Sequence, residues 1–242
     1  MSEPIDTRRW RAVCVHGAGG GAWEWAIWSR VLGAHAIEVV SADLQAAAGG
    51  LADTRFADYR AQVAAWCRNA AGDGVALVLV GASLGGLLAL AVAAETRVDA
   101  LVLVNAMPPA GVVARLPATN HPALVPWRSA RTLQDTLRAL PDADDAAVLH
   151  AFRRWRDESG AVLNEAQAGI AIDWPTCPAL VLASGRDDDV PAFASRALAV
   201  RLGADFECLR EASHVGPLLG APSAAAAARV VGWLGQRSGK RA

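Results

Sequence analysis

The chain has 242 residues, of which 53% are hydrophobic and 19% are charged, and this composition excludes a largely disordered protein. A formal net charge of −1 gives no reason to expect a nucleic acid or an anionic membrane surface as a partner. No apolar run reaches the roughly 18 residues of a membrane-spanning helix, and the length suits one domain with a large core.

The beginning of the chain and its cysteines indicate an intracellular protein. Residues 1–11 contain three arginines and two acidic residues but no apolar core of a secretory signal, which predicts a cytoplasmic location. The four cysteines show no C-x-x-C or zinc-like spacing, so we expect free thiols packed as small apolar side chains. The sequence does not define the oligomeric state and is compatible with a homodimer.

Short apolar or β-branched segments alternate with segments of helical periodicity along most of the chain. Several of the strand segments are apolar on both faces, as in a parallel sheet that helices cover on each side. This alternation predicts an α/β protein with a doubly wound, mostly parallel, six-stranded sheet. The predicted strands are residues 12–15, 37–40, 75–80, 100–104, 179–183 and 205–209, and the predicted helices are residues 54–70, 87–95, 192–202 and 221–234.

One long segment interrupts this alternation between the fourth and fifth strands. Residues 107–175 begin with irregular, proline-containing sequence. Helical patterns follow at residues 132–140, 144–157 and 161–170. A connection of this length is far beyond an ordinary loop, and ligands of open α/β sheets bind at the carboxyl ends of the strands. We therefore predict a core of residues 1–106 and 176–242, with residues 107–175 as a helical cap over that edge.

The third strand runs into Gly81-Ala82-Ser83-Leu84-Gly85, a G-x-S-x-G sequence that a helix follows at once. In this context the sequence predicts a tight turn that strains the backbone of Ser83 and holds its hydroxyl over the sheet edge. The helix N-terminus also directs free N–H groups at any anion formed there. The alternative is a glycine-rich helix start with Ser83 as its N-cap. The flanking strand and helix favour a nucleophilic serine.

A second glycine-rich segment, residues 16–23 with the sequence HGAGGGAW, follows the first strand. Small residues allow backbone N–H groups to approach the carbonyl oxygen on which negative charge develops during acyl transfer. We predict the amides of Ala18 and Leu84 as the two oxyanion donors. The alternative is a phosphate site, but the segment contains neither G-x-x-x-x-G-K-[ST] nor G-x-G-x-x-G.

A serine nucleophile needs a base, and His214 lies just after the last strand, at the same edge of the sheet. We expect His16 instead to be structural and to fix the glycine-rich loop. The acid that orients the base should follow the fifth strand, where Asp187 and Asp188 are adjacent candidates. Counting from the strand end favours Asp187, although aspartates there also suit a helix N-terminus.

With the order Ser83, Asp187, His214, the chain resembles the α/β-hydrolase superfamily over nearly its full length. Residues 16–18 and 21–25 are similar to the oxyanion-loop segment of the plant methylesterase and hydroxynitrile lyase group. Residues 80–86 match the serine turn of that group, which usually has His where Ala82 stands. The resemblance implies an α/β-hydrolase fold and cofactor-free hydrolysis of a carboxylic ester.

Two departures from this group limit what the resemblance implies. The cap sequence matches none that we can name, so no substrate can be carried over. The lysine that supports cyanohydrin cleavage in hydroxynitrile lyases is also absent, because the only lysine is Lys240, in the C-terminal tail. The sequence therefore disfavours the lyase branch.

We expect a serine hydrolase that cleaves a small to medium, largely apolar carboxylic ester through an acyl-enzyme, with no metal or organic cofactor. Trp23, Met107 and Trp127 are candidate substrate-binding residues, with packing as the alternative for each. Two other functions stay open. The same triad serves C–C bond hydrolases and lyases, and the scaffold also serves as a non-catalytic receptor for small ligands, although such receptors commonly lose triad members.

Overall fold

A parallel sheet lies at the centre of the computed structural model, which describes residues 9–113 and 119–238. The strands, in chain order, are β1 (Arg9–Val15), β2 (Glu38–Ser41), β3 (Val75–Ala82), β4 (Ala100–Val104), β5 (Leu124–Val125), β6 (Glu158–Ser159), β7 (Ala179–Arg186) and β8 (Asp205–Ser213). Six of them form the central sheet in the order β2-β1-β3-β4-β7-β8, and every neighbouring pair is parallel. The predicted six-stranded α/β sheet is therefore confirmed.

Helices cover both faces of this sheet. In chain order, the α-helices of the described residues are α1 (Ala26–Ala34), α2 (Phe56–Ala70), α3 (Leu84–Glu95), α4 (Trp127–Ala130), α5 (Leu133–Ala139), α6 (Asp145–Phe152), α7 (Gly160–Ala168), α8 (Ala192–Leu202), α9 (Gly216–Leu219) and α10 (Ser223–Ser238). Val13 and Leu79 point to the layer that contains α2, α3 and α8, whereas Cys14 and Val80 point to the layer of α1 and α10. This alternation follows from the two-residue period of a strand and explains why the strands are apolar on both faces.

The short elements β5, β6, α4 and α9 were not predicted from the sequence, and two further differences have a clear cause in packing. The helix predicted at 144–157 ends at Phe152, because Trp155 turns away to pack with Leu140 and Val148, and the chain then continues into β6. Helix α1 was not predicted, although it buries Trp28 and Leu32 against the sheet. Both differences come from large side chains that find their contacts in tertiary structure.

The described part of residues 107–175 lies against the carboxyl ends of the central strands. It contains α4 to α7 and a two-stranded antiparallel sheet of β5 and β6. Its contact with the loop after β1 includes a hydrogen bond from the backbone N–H of Arg156 to the oxygen of Gly19, over 2.8 Å. The cap boundaries given above stay a prediction. Among the described helices, none combines the length and the apolar character needed to cross a membrane.

Candidate active site

Ser83 occupies a strained turn between β3 and α3. Its backbone angles are φ 52° and ψ −120°, in a region that side chains other than glycine rarely adopt. The turn is tight because a Cβ at Gly81 would lie 2.2 Å from the oxygen of Gly85. A Cβ at Gly85 would in turn lie 2.4 Å from the oxygen of His16. The two glycines therefore allow the close backbone approach that the G-x-S-x-G sequence predicts.

The structure brings Ser83, His214 and Asp187 together in one hydrogen-bonded chain. His214 Nε2 lies 2.9 Å from Ser83 Oγ, and His214 Nδ1 lies 2.8 Å from Asp187 Oδ2. Since an ionised carboxylate only accepts hydrogen bonds, Nδ1 carries the proton and donates to Asp187. Nε2 of the neutral ring is then free to accept the hydroxyl proton of Ser83. This is the arrangement that a general base for serine requires.

Asp187, rather than Asp188, reaches the imidazole. The Asp187 side chain is fully buried, and its Oδ1 accepts hydrogen bonds from the backbone N–H groups of Asp189, at 2.9 Å, and Val190, at 2.7 Å. Asp188 is exposed. Burial alone would lower the pKa of His214, but the hydrogen bond and negative charge of Asp187 outweigh it, with help from Asp189. The pKa of His214 is therefore raised above its ordinary 6.5.

The glycine-rich loop after β1 lies directly against the serine turn. A Cβ at Gly17 would be 3.3 Å from Ser83 Cβ, so Ala18 follows at the edge of the site. Within the described residues, the N–H groups of Ala18 and Leu84 donate no hydrogen bond. Leu84 is the first residue of α3. Both predicted oxyanion donors therefore have their N–H groups unused next to Ser83.

Two buried ionisable side chains support this loop. His16 accepts a hydrogen bond from Leu44 N at Nε2, over 3.0 Å, so its Nδ1 donates to Gly17 O over 2.8 Å. Burial lowers the pKa of His16 to about 4, which keeps the ring neutral and suits the structural role expected of it. Glu24, which sequence reasoning missed, accepts from Gly17 N at 3.3 Å, and burial raises its pKa to about 8.

Asn105 is a second residue that the sequence reasoning missed. It follows β4 directly, has a φ of 45° and is almost completely buried. Its side chain joins the ends of two neighbouring segments, because Oδ1 accepts from Ser184 N at 2.7 Å and Nδ2 donates to the oxygen of His214 at 2.6 Å. A lone amide ending a fully apolar strand is the signal that could have identified it.

The three predicted substrate-binding residues lie in different surroundings. Trp127 covers the glycine-rich loop so closely that a Cβ at Gly19 would lie 2.3 Å from its ring, and the Arg131 guanidinium stacks 5.1 Å above that ring. Met107 is half-buried, and its N–H donates to the oxygen of Ser83 over 3.0 Å. Trp23 makes an edge contact with Trp155 at 5.5 Å between ring centres. Their binding of substrate stays a prediction.

One cluster in the site has the residue types of a metal site. Ligand-type atoms of Asp187, Asp189 and His214 lie within 4.8 Å of one another. However, His214 already uses both ring nitrogens, one towards Asp187 and the other towards Ser83. A metal bound at His214 would displace one of these hydrogen bonds, so the geometry favours a proton-transfer role over metal binding.

Comparisons with known proteins agree on the family and the fold. Residues 12–229 match the sequence model of a family described as the Alpha/beta hydrolase family. A comparison with curated proteins finds no match. Among solved structures, a methylesterase from Arabidopsis is 15% identical, with a TM-score of 0.70, over 93% of this chain and 99% of the other.

Two further solved structures are similar over comparable lengths. Polyneuridine aldehyde esterase is 19% identical, with a TM-score of 0.68, over 92% of this chain and 98% of its own. A pyrethroid hydrolase from Sphingobium faniae is 18% identical, with a TM-score of 0.67, over 94% and 96%. At these identities the likeness shows the fold, and it agrees with the resemblance to the plant methylesterase group.

Proposed function

Because the chain belongs to the alpha/beta hydrolase family, we propose that it is a serine esterase. Its substrate is a small to medium, largely apolar carboxylic ester, and the reaction passes through an acyl-enzyme. The observation that carries this proposal is the hydrogen-bonded chain from Ser83 through His214 to Asp187, with distances of 2.9 and 2.8 Å. The esterase and hydrolase named among the similar structures also support it.

In the first half of the reaction, Ser83 Oγ attacks the carbonyl carbon of the ester as its proton passes to His214 Nε2. Asp187 stays ionised and stabilises the imidazolium that forms. The N–H groups of Ala18 and Leu84 bind the oxyanion of the tetrahedral intermediate. His214 then returns its proton to the departing alkoxide, so that the alcohol leaves and the acyl group remains on Ser83.

In the second half, His214 takes a proton from a water molecule, and the resulting hydroxide attacks the acyl carbon. The second tetrahedral intermediate uses the same two N–H donors. When it collapses, Ser83 Oγ leaves and recovers a proton from His214, and the carboxylic acid is released. No step requires an oxidant, a reductant or a metal ion.

The proposed substrate preference rests on the side chains next to the serine turn. Trp127 covers the glycine-rich loop, and Met107 is bonded through its N–H to the oxygen of Ser83. Both side chains would therefore offer apolar surface to an acyl or alcohol group bound there. Arg131 above Trp127 adds a cation at the same place. A cytoplasmic location, and the lack of nucleic-acid or membrane partners, stay predictions from the sequence.

The test is hydrolysis of p-nitrophenyl acetate, butyrate and octanoate by the wild type and by Ser83→Ala. We expect turnover by the wild type and its loss in the variant, with circular dichroism unchanged. Ser195→Ala is the matched control, because Ser195 is a buried serine whose hydroxyl has no hydrogen-bond partner in the described part of the chain. This control should keep full activity.

Labelling by a fluorophosphonate separates the remaining outcomes. A wild type that labels at Ser83 but cleaves none of the three esters is a hydrolase of narrower specificity or a lyase. A wild type that neither labels nor hydrolyses contradicts the proposal and favours a ligand receptor. Full activity in Ser83→Ala would contradict the mechanism directly.

A further inference from the structure

Glu158, in β6, reaches across to the glycine-rich loop. It is only 3% exposed, and its Oε2 accepts a hydrogen bond from Gly19 N over 2.9 Å. Its Oε1 accepts two more, from Tyr59 Oη and from Ser159 N, each over 2.8 Å. Pairing of β6 with β5 fixes the backbone of Glu158, and so does Ser159 as the N-cap of α7. One carboxyl group therefore satisfies three donors, and one of them belongs to the loop beside Ser83.

The backbone N–H groups on both sides of Ala18 thus donate hydrogen bonds to buried glutamates. Gly17 N donates to Glu24, and Gly19 N donates to Glu158. The oxygen of Gly19 is held as well, by the N–H of Arg156 at 2.8 Å. With its neighbours fixed, the peptide of Ala18 has little freedom to rotate, and its N–H is the donor left for an oxyanion.

Asp142, between α5 and α6, binds the residue that precedes His214. Its Oδ2 accepts from Ser213 N over 2.8 Å, and its Oδ1 accepts from Ser213 Oγ over 2.7 Å. Ser213 directly precedes His214. The carboxyl group fits because Gly216 and Gly220 lack side chains: a Cβ at these positions would lie 2.0 and 2.9 Å from its oxygens.

From these contacts we infer that Glu158 and Asp142 are positioning residues, through which the segment predicted as a cap sets the geometry of both the oxyanion loop and the His214 loop. The inference rests on the proposed function, since it assigns catalytic importance to the placement of Ala18 N and His214. Neither carboxyl group touches Ser83, His214 or Asp187, so each acts through a neighbouring residue.

This arrangement predicts an effect on turnover rather than on substrate binding. Displacement of a catalytic group by about 1 Å can slow the chemical step by as much as 100-fold, whereas the apolar contacts of the ground state are unaffected. Loss of the hydrogen bond from Gly19 N to Glu158, or of those from Ser213 to Asp142, should therefore lower kcat and leave KM nearly unchanged. A residue that only stabilised the fold would instead reduce the amount of active protein.

The test uses Glu158→Gln and Asp142→Asn, because an amide offers one oxygen where the carboxyl offers two. In Glu158→Gln the single oxygen can accept from Gly19 N or from Tyr59 Oη and Ser159 N, but not from all three. In Asp142→Asn the single oxygen can accept from Ser213 N or from Ser213 Oγ, but not from both as the carboxylate does. Activity on p-nitrophenyl butyrate is divided by the number of sites that a fluorophosphonate labels at completion. We expect kcat per labelled site to fall about ten-fold or more, with KM within about two-fold.

Two neighbouring carboxylates provide matched controls. Asp157 directly precedes Glu158, but its carboxyl group accepts from Arg128 N, inside the same segment. Asp144 lies two residues after Asp142, but it caps α6 by accepting from Ala147 N. Asp157→Asn and Asp144→Asn should keep kcat per labelled site within about two-fold of the wild type.

An unchanged kcat per labelled site in Glu158→Gln and Asp142→Asn would overturn the inference, even if fewer sites were active. If either variant yields no folded protein, Glu158→Asp or Ser213→Ala replaces it. The first withdraws the carboxyl from Gly19 by one methylene, and the second removes one of the two bonds to Asp142. Unchanged turnover per site there would count against the inference equally. A wild type that neither labels nor hydrolyses would refute the proposed function instead.

Discussion

The side-chain amide of Asn105 donates a hydrogen bond to the backbone oxygen of His214 over 2.6 Å. The same amide also bonds both the N–H and the hydroxyl of Ser184, at the end of β7. Asp187 directly follows β7, so Asn105 fixes the end of β7 that carries Asp187 relative to the loop that carries His214. The buried side-chain amide of Asn105 therefore holds the segments that carry His214 and Asp187 in a fixed arrangement.

Replacement of Asn105 by Ala should lower both stability and turnover. It leaves buried groups of Ser184 and His214 without partners, which costs about 2–4 kcal/mol in the free energy of unfolding. It also frees the His214 loop, so we expect kcat to fall about ten-fold. Ser184→Ala is the control, because it removes one partner of Asn105 but keeps the bond to His214. Urea unfolding and ester hydrolysis measure the two effects, and full turnover in Asn105→Ala would contradict the positioning role.

Replacement of the triad acid should distinguish the adjacent aspartates. Asp187→Asn should lower kcat by about 10³–10⁴-fold, because an amide no longer stabilises the imidazolium and can hold the ring in the wrong tautomer. Asp188 is exposed, so Asp188→Asn should stay within about two-fold of the wild type. Side-by-side rates on p-nitrophenyl butyrate decide the matter. A large loss in Asp188→Asn alone would assign the acid to that residue instead.

The pH dependence of kcat/KM should report the raised pKa of His214. The base must be neutral to accept the proton of Ser83, and Asp187 favours the charged ring. Activity should therefore fall as the pH drops through a value above 6.5, the ordinary pKa of histidine. A profile from pH 5 to 9 measures the inflection, with His35→Gln, which changes an exposed histidine at the end of α1, as the control. An inflection below 6.5 would show that Asp187 does not exert this effect.

Stability should also depend on pH through Glu24. Burial raises its pKa from 4.5 to about 8, so between these values the folded chain binds a proton that the unfolded chain has released. The free energy of unfolding should therefore decrease as the pH rises from 4.5 to 8, by on the order of 4 kcal/mol from this group.

Glu24→Gln should remove this dependence, because the amide keeps an oxygen for Gly17 N but does not ionise. Chemical unfolding at pH 5 and pH 8 measures the difference between the two conditions. Glu211→Gln, which changes a highly exposed glutamate, should retain the wild-type difference. The same difference in Glu24→Gln as in the wild type would place the proton uptake at another group.

The three residues of the hydrogen-bonded chain were predictable because each stands where a strand ends. Ser83 lies in a turn whose sequence requires glycine on both sides, and Asp187 and His214 follow β7 and β8, the last two strands in the order of the sheet. A parallel sheet places all carboxyl ends of its strands at one edge, so local sequence and strand order were sufficient. The position of the glycine-rich loop beside Ser83 followed from the same reasoning, because that loop also begins at the end of a strand.

The residues that hold the site in place were not predictable in this way. Gly19 and Glu158 are 139 positions apart, and Asp142 and Ser213 are 71 apart, so no local pattern links them. Glu24 lies close to Gly17 in sequence, but an acidic residue on a short helical turn normally faces solvent, and only the tertiary structure shows that it is buried. Such contacts depend on how the inserted segment packs.

Ser83 and His214 are separated by 131 positions in the sequence, and this separation affects when their contact can form during folding. Contacts between distant parts of a chain form late, because loop closure costs entropy that local structure does not. The hydroxyl of Ser83 cannot contact His214 until β7 and β8 have joined the sheet. We therefore expect any activity that depends on this contact to return late in refolding, when β7 and β8 have joined β3 and β4.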